Sequence, residues 1–243
     1  MVVVVVAAFT HGTMGFGFPL ISTPMIAMAT DIRTAILATL VPNLAVNLIS
    51  IFRGGHWTAS VARHWPVAVF VLIGAVIGTR VLILGDPEPL KLLLSAMIVV
   101  FLLQGRLRGI DGWSWLPRHP RASGVAFGLL GGFLSGTVNV AVPPLVIYFM
   151  ALGLDALAMT QVLNLCFIVG RLTQAATLHA AGQLGSAAVV ATTPLTVVSL
   201  AALWIGLRVQ RRIRPAAFQR ILRLALWIMA AILAGQAALH FAR

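Results

Sequence analysis

The chain is poor in acid and nearly free of cysteine. Five Asp and Glu stand against 17 Lys and Arg, and charged residues make up 9% of 243 positions. A soluble domain carries roughly 25% charged residues, so this chain cannot clothe itself in a hydrated surface. None of the five carboxylates falls inside an apolar run: Asp31, Asp86, Glu88, Asp111 and Asp155 stand at segment ends or in loops. That removes the membrane carboxylate expected of a cation carrier. The single cysteine, Cys166, excludes an intramolecular disulfide and argues against a Cys-based metal site. Long polar stretches are also missing, which leaves no room for a separate soluble domain.

What is present is apolar sequence, 60% of the chain, with a mean hydropathy of +1.02. Apolar stretches run at about 2–28, 34–52, 65–84, 90–105, 122–153, 157–180, 184–207 and 217–241. At about 20 residues per crossing, they predict an all-α, polytopic membrane protein of about 7–9 transmembrane segments, since a closed barrel shows alternating ten-residue strands instead. The start, Met1 followed by five valines, has no basic n-region and is read as a retained membrane segment, not a signal peptide. The net charge of +12 lies in short loops and is read as orientation signal, not as a nucleic-acid surface. The lipid bilayer is therefore an expected partner and nucleic acid is not.

A Gly-rich interruption occurs twice. Gly12-Thr13-Met14-Gly15-Phe16-Gly17 closes at Pro24, and Gly131-Gly132-Phe133-Leu134-Ser135-Gly136-Thr137-Val138-Asn139 closes at Pro143-Pro144. Aligning Gly12 with Gly132 superposes the copies at an offset of 120. Backbone that leaves the helix at membrane depth survives only against protein or a wet cavity. Paired breaks in two halves point to a transporter's binding site. Three units are expected: a first transmembrane repeat over 1–105, a basic linker over 106–121 with Trp113 and Trp115 among its arginines, and a second repeat over 122–243. If each broken segment is re-entrant, loops 53–65, 105–121 and 208–220 share one face and collect nearly all the loop arginines. The positive-inside tendency favours that hairpin arrangement, and three crossings per half then make the repeats inverted.

The candidate site follows from residue type. Thr39, Asn43, Asn47 and Ser50 lie on one helical face, as do Gln161, Asn164, Arg171 and Gln174 in the second half. Such residues can simply join helices. Arg171, mid-segment, costs at least ~2.5–3.5 kcal/mol on insertion scales and so faces the bundle interior or a cavity; capping of half-helix C-termini is its bland alternative. A guanidinium, amides, hydroxyls and half-helix N-termini all favour a small oxyanion. The expected substrate-binding set is Thr13, Gly15, Gly17, Asn43, Asn47, Ser135, Thr137, Asn139, Asn164, Arg171 and Gln174. Asp31 and Asp155 are expected to be N-caps. His11 and His179 are the titratable groups expected near the site. No cofactor and no metal are expected.

An intramembrane enzyme is the rival class. Phe133 stands where the Gly-x-Ser-Gly loop of membrane serine proteases needs glycine, and His11 and His179 make no metal-ligand spacing. A structural or assembly subunit of a membrane complex needs neither a buried Arg nor paired breaks. A homo-oligomer stays open, because lipid-facing and partner-facing helices look alike.

Over essentially its whole length the chain resembles the TauE/SafE (TSUP) family of sulfite and organosulfonate exporters. The resemblance rests on Gly12-Thr13-Met14-Gly15-Phe16-Gly17 with Pro24, on Gly128 to Gly136, and on the turns Gly55-His56-Trp57 and Gly182-Gln183-Leu184. It implies a multi-pass inner or plasma membrane transporter of sulfite, sulfonates or similar anions, with other small organic anions as the alternative. Thr137-Val138-Asn139 departs from the family's second glycine run. Cys166, being alone, departs from the branch that passes thiosulfate along paired cysteines. Short ends imply a compact or truncated member.

Overall fold

The computed structural model describes residues 1–53, 55, 57–107, 115–210 and 215–241. His56 of the first predicted turn, residues 108–114 of the basic linker with Trp113, and Arg211, Arg212 and Arg214 lie outside the described residues. In chain order the helices are α1 (Val2–Met14), α2 (Phe18–Ala27), α3 (Ile32–Ile51), α4 (Trp57–Leu84), α5 (Pro87–Leu107), α6 (Trp115–Arg118), α7 (Pro120–Val138), α8 (Val142–Ala151), α9 (Ala156–Ala180), α10 (Ser186–Ala191), α11 (Thr193–Val209) and α12 (Pro215–Phe241). No strand occurs among the described residues. Six helices among them are long and apolar enough to cross a membrane. Together with two broken pairs, α1–α2 and α7–α8, they form an all-α polytopic membrane protein.

Each broken pair is a hairpin. Gly15 ends α1 at φ 86° and Gly17 opens α2 at φ 109°, left-handed conformations that only glycine takes without strain. At the second break the left-handed residue is Asn139, φ 65°, the side chain that best tolerates this region after glycine. Helix α8 then folds back along α7. Tyr148 stacks on Phe127 with ring centroids 5.7 Å apart, and its hydroxyl donates to the Pro120 carbonyl over 3.2 Å.

The register of the two copies differs from the sequence expectation. Helix α7 runs unbroken through Gly131, Gly132 and Gly136, and the chain leaves it only at Asn139. The matching offset is 124: Gly15 with Asn139 (139 − 15), Pro19 with Pro143, Asp31 with Asp155. In this register His11-Gly12-Thr13 faces Ser135-Gly136-Thr137. The glycines within α7 serve close approach instead of unwinding. A methyl group on Gly132 would overlap the Val71 carbonyl of α4, and one on Gly78 of α4 would overlap the Phe133 carbonyl of α7. The same device joins α1 to α11, where a methyl group on Gly12 would overlap the Leu203 carbonyl and one on Gly206 the Phe9 carbonyl. Small residues at such contacts let backbones pack where lipid supplies no hydrophobic force between helices.

The helices that follow the hairpins are the axis of the bundle. Asp31 and Asp155 cap α3 and α9: Asp31 accepts from the N–H groups of Arg33 at 2.8 Å and Thr34 at 3.0 Å, and Asp155 from Leu157 and Ala158, both at 2.9 Å. Partial burial raises the Asp31 pKa, but the Thr34 hydroxyl and the two N–H groups outweigh it and hold it below the usual carboxylate range. A carboxyl with a depressed folded pKa stabilises above its unfolded value and loses that contribution as pH falls through the folded one. Asp31→Ala should therefore lower stability by ~1 kcal/mol at neutral pH, with the difference vanishing in acid. Thermal unfolding of both proteins in detergent at pH 7 and pH 3 checks this.

Helices α3 and α9 run antiparallel. Leu37 and Leu40 pack with Ala175 and Leu178 at one end, while at the other the Gln161 amide donates to the carbonyls of Arg53 and Gly55, each at 2.8 Å. Their shared Arg53 end also gathers the starts of α4, α7 and α9. At the far end Arg33 donates to the carbonyls of Leu82 and Ile83 at 2.9 and 3.1 Å and caps the end of α4.

Candidate functional site

Three polar clusters lie at the hairpin tips, all within apolar surroundings. The first centres on Asn139, which is 1% exposed. Its Nδ2 donates to Thr23 Oγ1 at 2.7 Å and Thr39 Oγ1 at 3.3 Å. Its Oδ1 accepts from Asn43 Nδ2 at 3.3 Å. Asn43 in turn accepts twice from Asn47 Nδ2, through its backbone and side-chain oxygens, both at 2.8 Å. The network thus links the second hairpin tip to α2 and α3. Asn47 Oδ1 and Ser50 Oγ on the same face are buried without a hydrogen-bond partner in the protein.

At the first tip, the Gly15 carbonyl accepts from Asn164 Nδ2 at 2.9 Å. His11 Nδ1 accepts from the Phe18 N–H at 3.3 Å, which assigns the ring proton to Nε2 in the neutral form. His11 Nε2 and Asn164 Oδ1 are both buried without a hydrogen-bond partner in the protein. Arg53 reaches this tip from the loop after α3. It donates to the Gly12 carbonyl at 3.3 Å and to Gln210 Oε1, and its half-buried position draws its pKa down.

The third cluster surrounds Arg171, which is 2% exposed. Its Nη1 donates to Gln174 Oε1 at 2.6 Å, and its Nη2 donates to the carbonyl and hydroxyl oxygens of Ser135. Gln174 Nε2 donates to the Gly136 carbonyl at 2.9 Å. The last carbonyls of a helix have no intrahelical partner, and these two side chains serve them at the end of α7. A guanidinium has five N–H donors. Three contacts leave two for a further acceptor.

The expected residues therefore separate into groups. Asn43, Asn47 and Asn139 share one network; Gly15 and Asn164 share the first tip; Ser135, Arg171 and Gln174 form the third cluster. Thr13 and Thr137 donate back to the carbonyls of Thr10 and Phe133, each at 2.9 Å, and Gly17 supplies backbone geometry. Half-helix N-termini offer fewer free donors than their position implies. Pro19, Pro143 and Pro144 have no N–H, and the Phe18 N–H is spent on His11. What these termini contribute is the helix dipole. His179 lies apart from the tips, exposed at the end of α9 and bonded through Nδ1 to the Leu184 carbonyl at 2.9 Å.

Sequence reasoning missed Thr23 and Arg53. Thr23 stands beside Pro24 in an apolar run with no polar neighbour in helical register. Arg53 is indistinguishable in sequence from the other loop arginines. Among the described residues no group of three metal-ligating side chains occurs.

A family model described as Sulfite exporter TauE/SafE matches residues 1–233, and the chain belongs to that family. Neither the curated proteins nor the solved structures yield a match.

Proposed function

We propose that this TauE/SafE member carries a small oxyanion, sulfite or an organosulfonate, across the inner or plasma membrane, and that it is a carrier without enzymatic activity. The binding site lies between the two hairpin tips. Asn43, Asn47, Asn139 and Asn164 orient the anion, Arg171 supplies the positive charge, and the backbone at Gly15 and Ser135 completes the wall. The observation that carries this reading is the sign of what is buried. Arg171, four asparagines and a ring of hydroxyls lie in the apolar interior, and no carboxylate is buried among the described residues.

Position supports the same reading. Asn164 lies eight residues into α9 and Thr39 seven into α3, or roughly 10–12 Å at 1.5 Å per residue. Each tip thus meets its helix about a third of the way along, and because α3 and α9 run in opposite directions the two tips approach the middle from opposite ends. We take 1–105 and 122–243 as inverted repeats joined by the 106–121 linker, a plan in which rocking of one repeat against the other exposes a fixed site to each side in turn.

Counterflow in proteoliposomes tests the function. Purified protein loaded with unlabelled sulfite should accumulate labelled sulfite or a short sulfonate, and should leave sodium and other monovalent cations untouched. Absence of counterflow with sulfite, sulfonate and carboxylate alike overturns the proposal.

A further inference from the structure

A second site lies away from the hairpin tips. A groove of about 870 Å³ opens toward the Arg53 end of the bundle, between the first half of α4, the starts of α7 and α9 and the end of α8. Its charged and titratable lining consists of Arg63, His64, Arg121, Tyr148 and Asp155; its floor includes Pro66, Val67, Phe70, Val125, Leu152 and Leu154. Both arginines are exposed, and among the described residues neither has a carboxylate within ion-pair distance. Asp155 is already engaged, since its Oδ1 accepts two backbone N–H groups. Two guanidiniums therefore stand at the mouth of an apolar trough with one carboxylate turned to helix capping.

None of the residues of the three tip clusters lines this groove. On its inner side Ser60 donates to Gln161 Oε1 at 2.8 Å. On its outer side Trp65 is 56% exposed beside Pro66. Trp65 stands two residues after Arg63 in the first third of α4, and tryptophans beside basic residues are enriched at headgroup level. Hence the trough has its cations where lipid phosphates lie and its apolar floor where acyl chains begin.

We propose that this groove binds an anionic phospholipid, with the headgroup phosphate held by Arg63 and Arg121 and the upper part of one acyl chain along Val67, Phe70 and Leu154. Guanidinium forks match phosphate oxygens in pairs, and each basic side chain near an anionic lipid surface is worth roughly a fivefold in affinity. The site is independent of which anion the protein carries.

The test is thermal unfolding of the detergent-purified protein titrated with short-chain phosphatidylglycerol, phosphatidylcholine or glycerol phosphate. Phosphatidylglycerol should raise the midpoint by several degrees in a saturable manner, and the other two should not. Arg63→Ala/Arg121→Ala should need roughly twenty-five-fold more phosphatidylglycerol for the same shift, two fivefold losses combined. Arg208→Ala, which removes a charge stacked on Trp204 and outside the groove, should behave as wild type. If the double variant does not survive purification, Arg121→Gln alone should still show about a fivefold loss. An equal shift with phosphatidylcholine, an equal shift with glycerol phosphate, or an equal loss in Arg208→Ala each overturns the assignment. So does an unchanged response in the arginine variants.

Discussion

Arg171→Ala should reduce sulfite or sulfonate flux at least about tenfold while the protein still inserts and elutes as a folded particle. A hydrogen bond to a charged partner contributes about 1.5–3 kcal/mol, and every 1.4 kcal/mol is about a factor of ten, so losing one such bond to the anion is enough. The stability effect is smaller than the number of bonds implies. Removing the guanidinium leaves the Ser135 carbonyl with only the long 3.5 Å bond from Gln174 Nε2, a cost of up to about 1–3 kcal/mol, but it also removes a buried charge that is itself unfavourable in the bilayer. The Gly136 carbonyl keeps its bond from Gln174.

The two roles of Arg171 can be separated. Arg171→Lys keeps a positive charge in the same helix but loses the planar fork that reaches Gln174 and Ser135 together. If charge alone recruits the anion, the Lys variant carries substantial flux; if the fork positions it, flux falls close to that of the Ala variant while stability recovers in part. The measurement is initial uptake in proteoliposomes, normalised to the folded fraction by gel filtration. Flux at the wild-type rate in Arg171→Ala would falsify the site assignment and leave the arginine as a cap for α7.

Gly132→Ala should destabilise the protein by about 3 kcal/mol, the upper part of the range for overpacking. On propensity alone the change favours helix by about 1 kcal/mol, so the sign of the result discriminates. The added methyl meets the Val71 carbonyl, and backbone cannot swing aside as a side chain can; α4 and α7 must separate along their whole contact. Gly17→Ala makes the opposite comparison. Its methyl meets nothing within 4 Å, yet φ 109° strains any L residue, roughly 1–2 kcal/mol. Unfolding by increasing SDS in mixed micelles should rank wild type above Gly17→Ala above Gly132→Ala. A Gly132→Ala protein as resistant as wild type rules out the close α4–α7 approach.

The gap between the two glycine roles explains where the sequence misleads. Gly12 and Gly15 stand three residues apart, yet Gly12 packs against Gly206 inside a helix while Gly15 ends that helix. Both kinds appear in a linear sequence as the same letter in the same apolar run. The offset of 120 arises from matching a packing glycine in one copy to a packing glycine four residues out of register in the other. Asn139, the true partner of Gly15, is hidden because its left-handed backbone is carried by an amide side chain. That side chain then ties together α2, α3 and the hairpin, a second role that no spacing rule announces.

Hydrophobicity, the scarcity of carboxylates and the doubled interruption determined by themselves that this is a helical membrane protein with a central guanidinium, because a bilayer sets a nearly uniform demand on every segment that crosses it. Local signals were legible for the same reason: Asp31 and Asp155 cap the helices that begin one residue later, and such bonds span only two or three positions. The tertiary structure alone decided which polar groups meet. Asn43 and Asn139 are 96 residues apart, Arg53 and Gln161 are 108 apart, and Asn164 and Gly15 are 149 apart. Contacts across such distances depend on how hairpins and antiparallel helices stack, and stacking here is set by glycine-lined surfaces whose fit is a property of two backbones together.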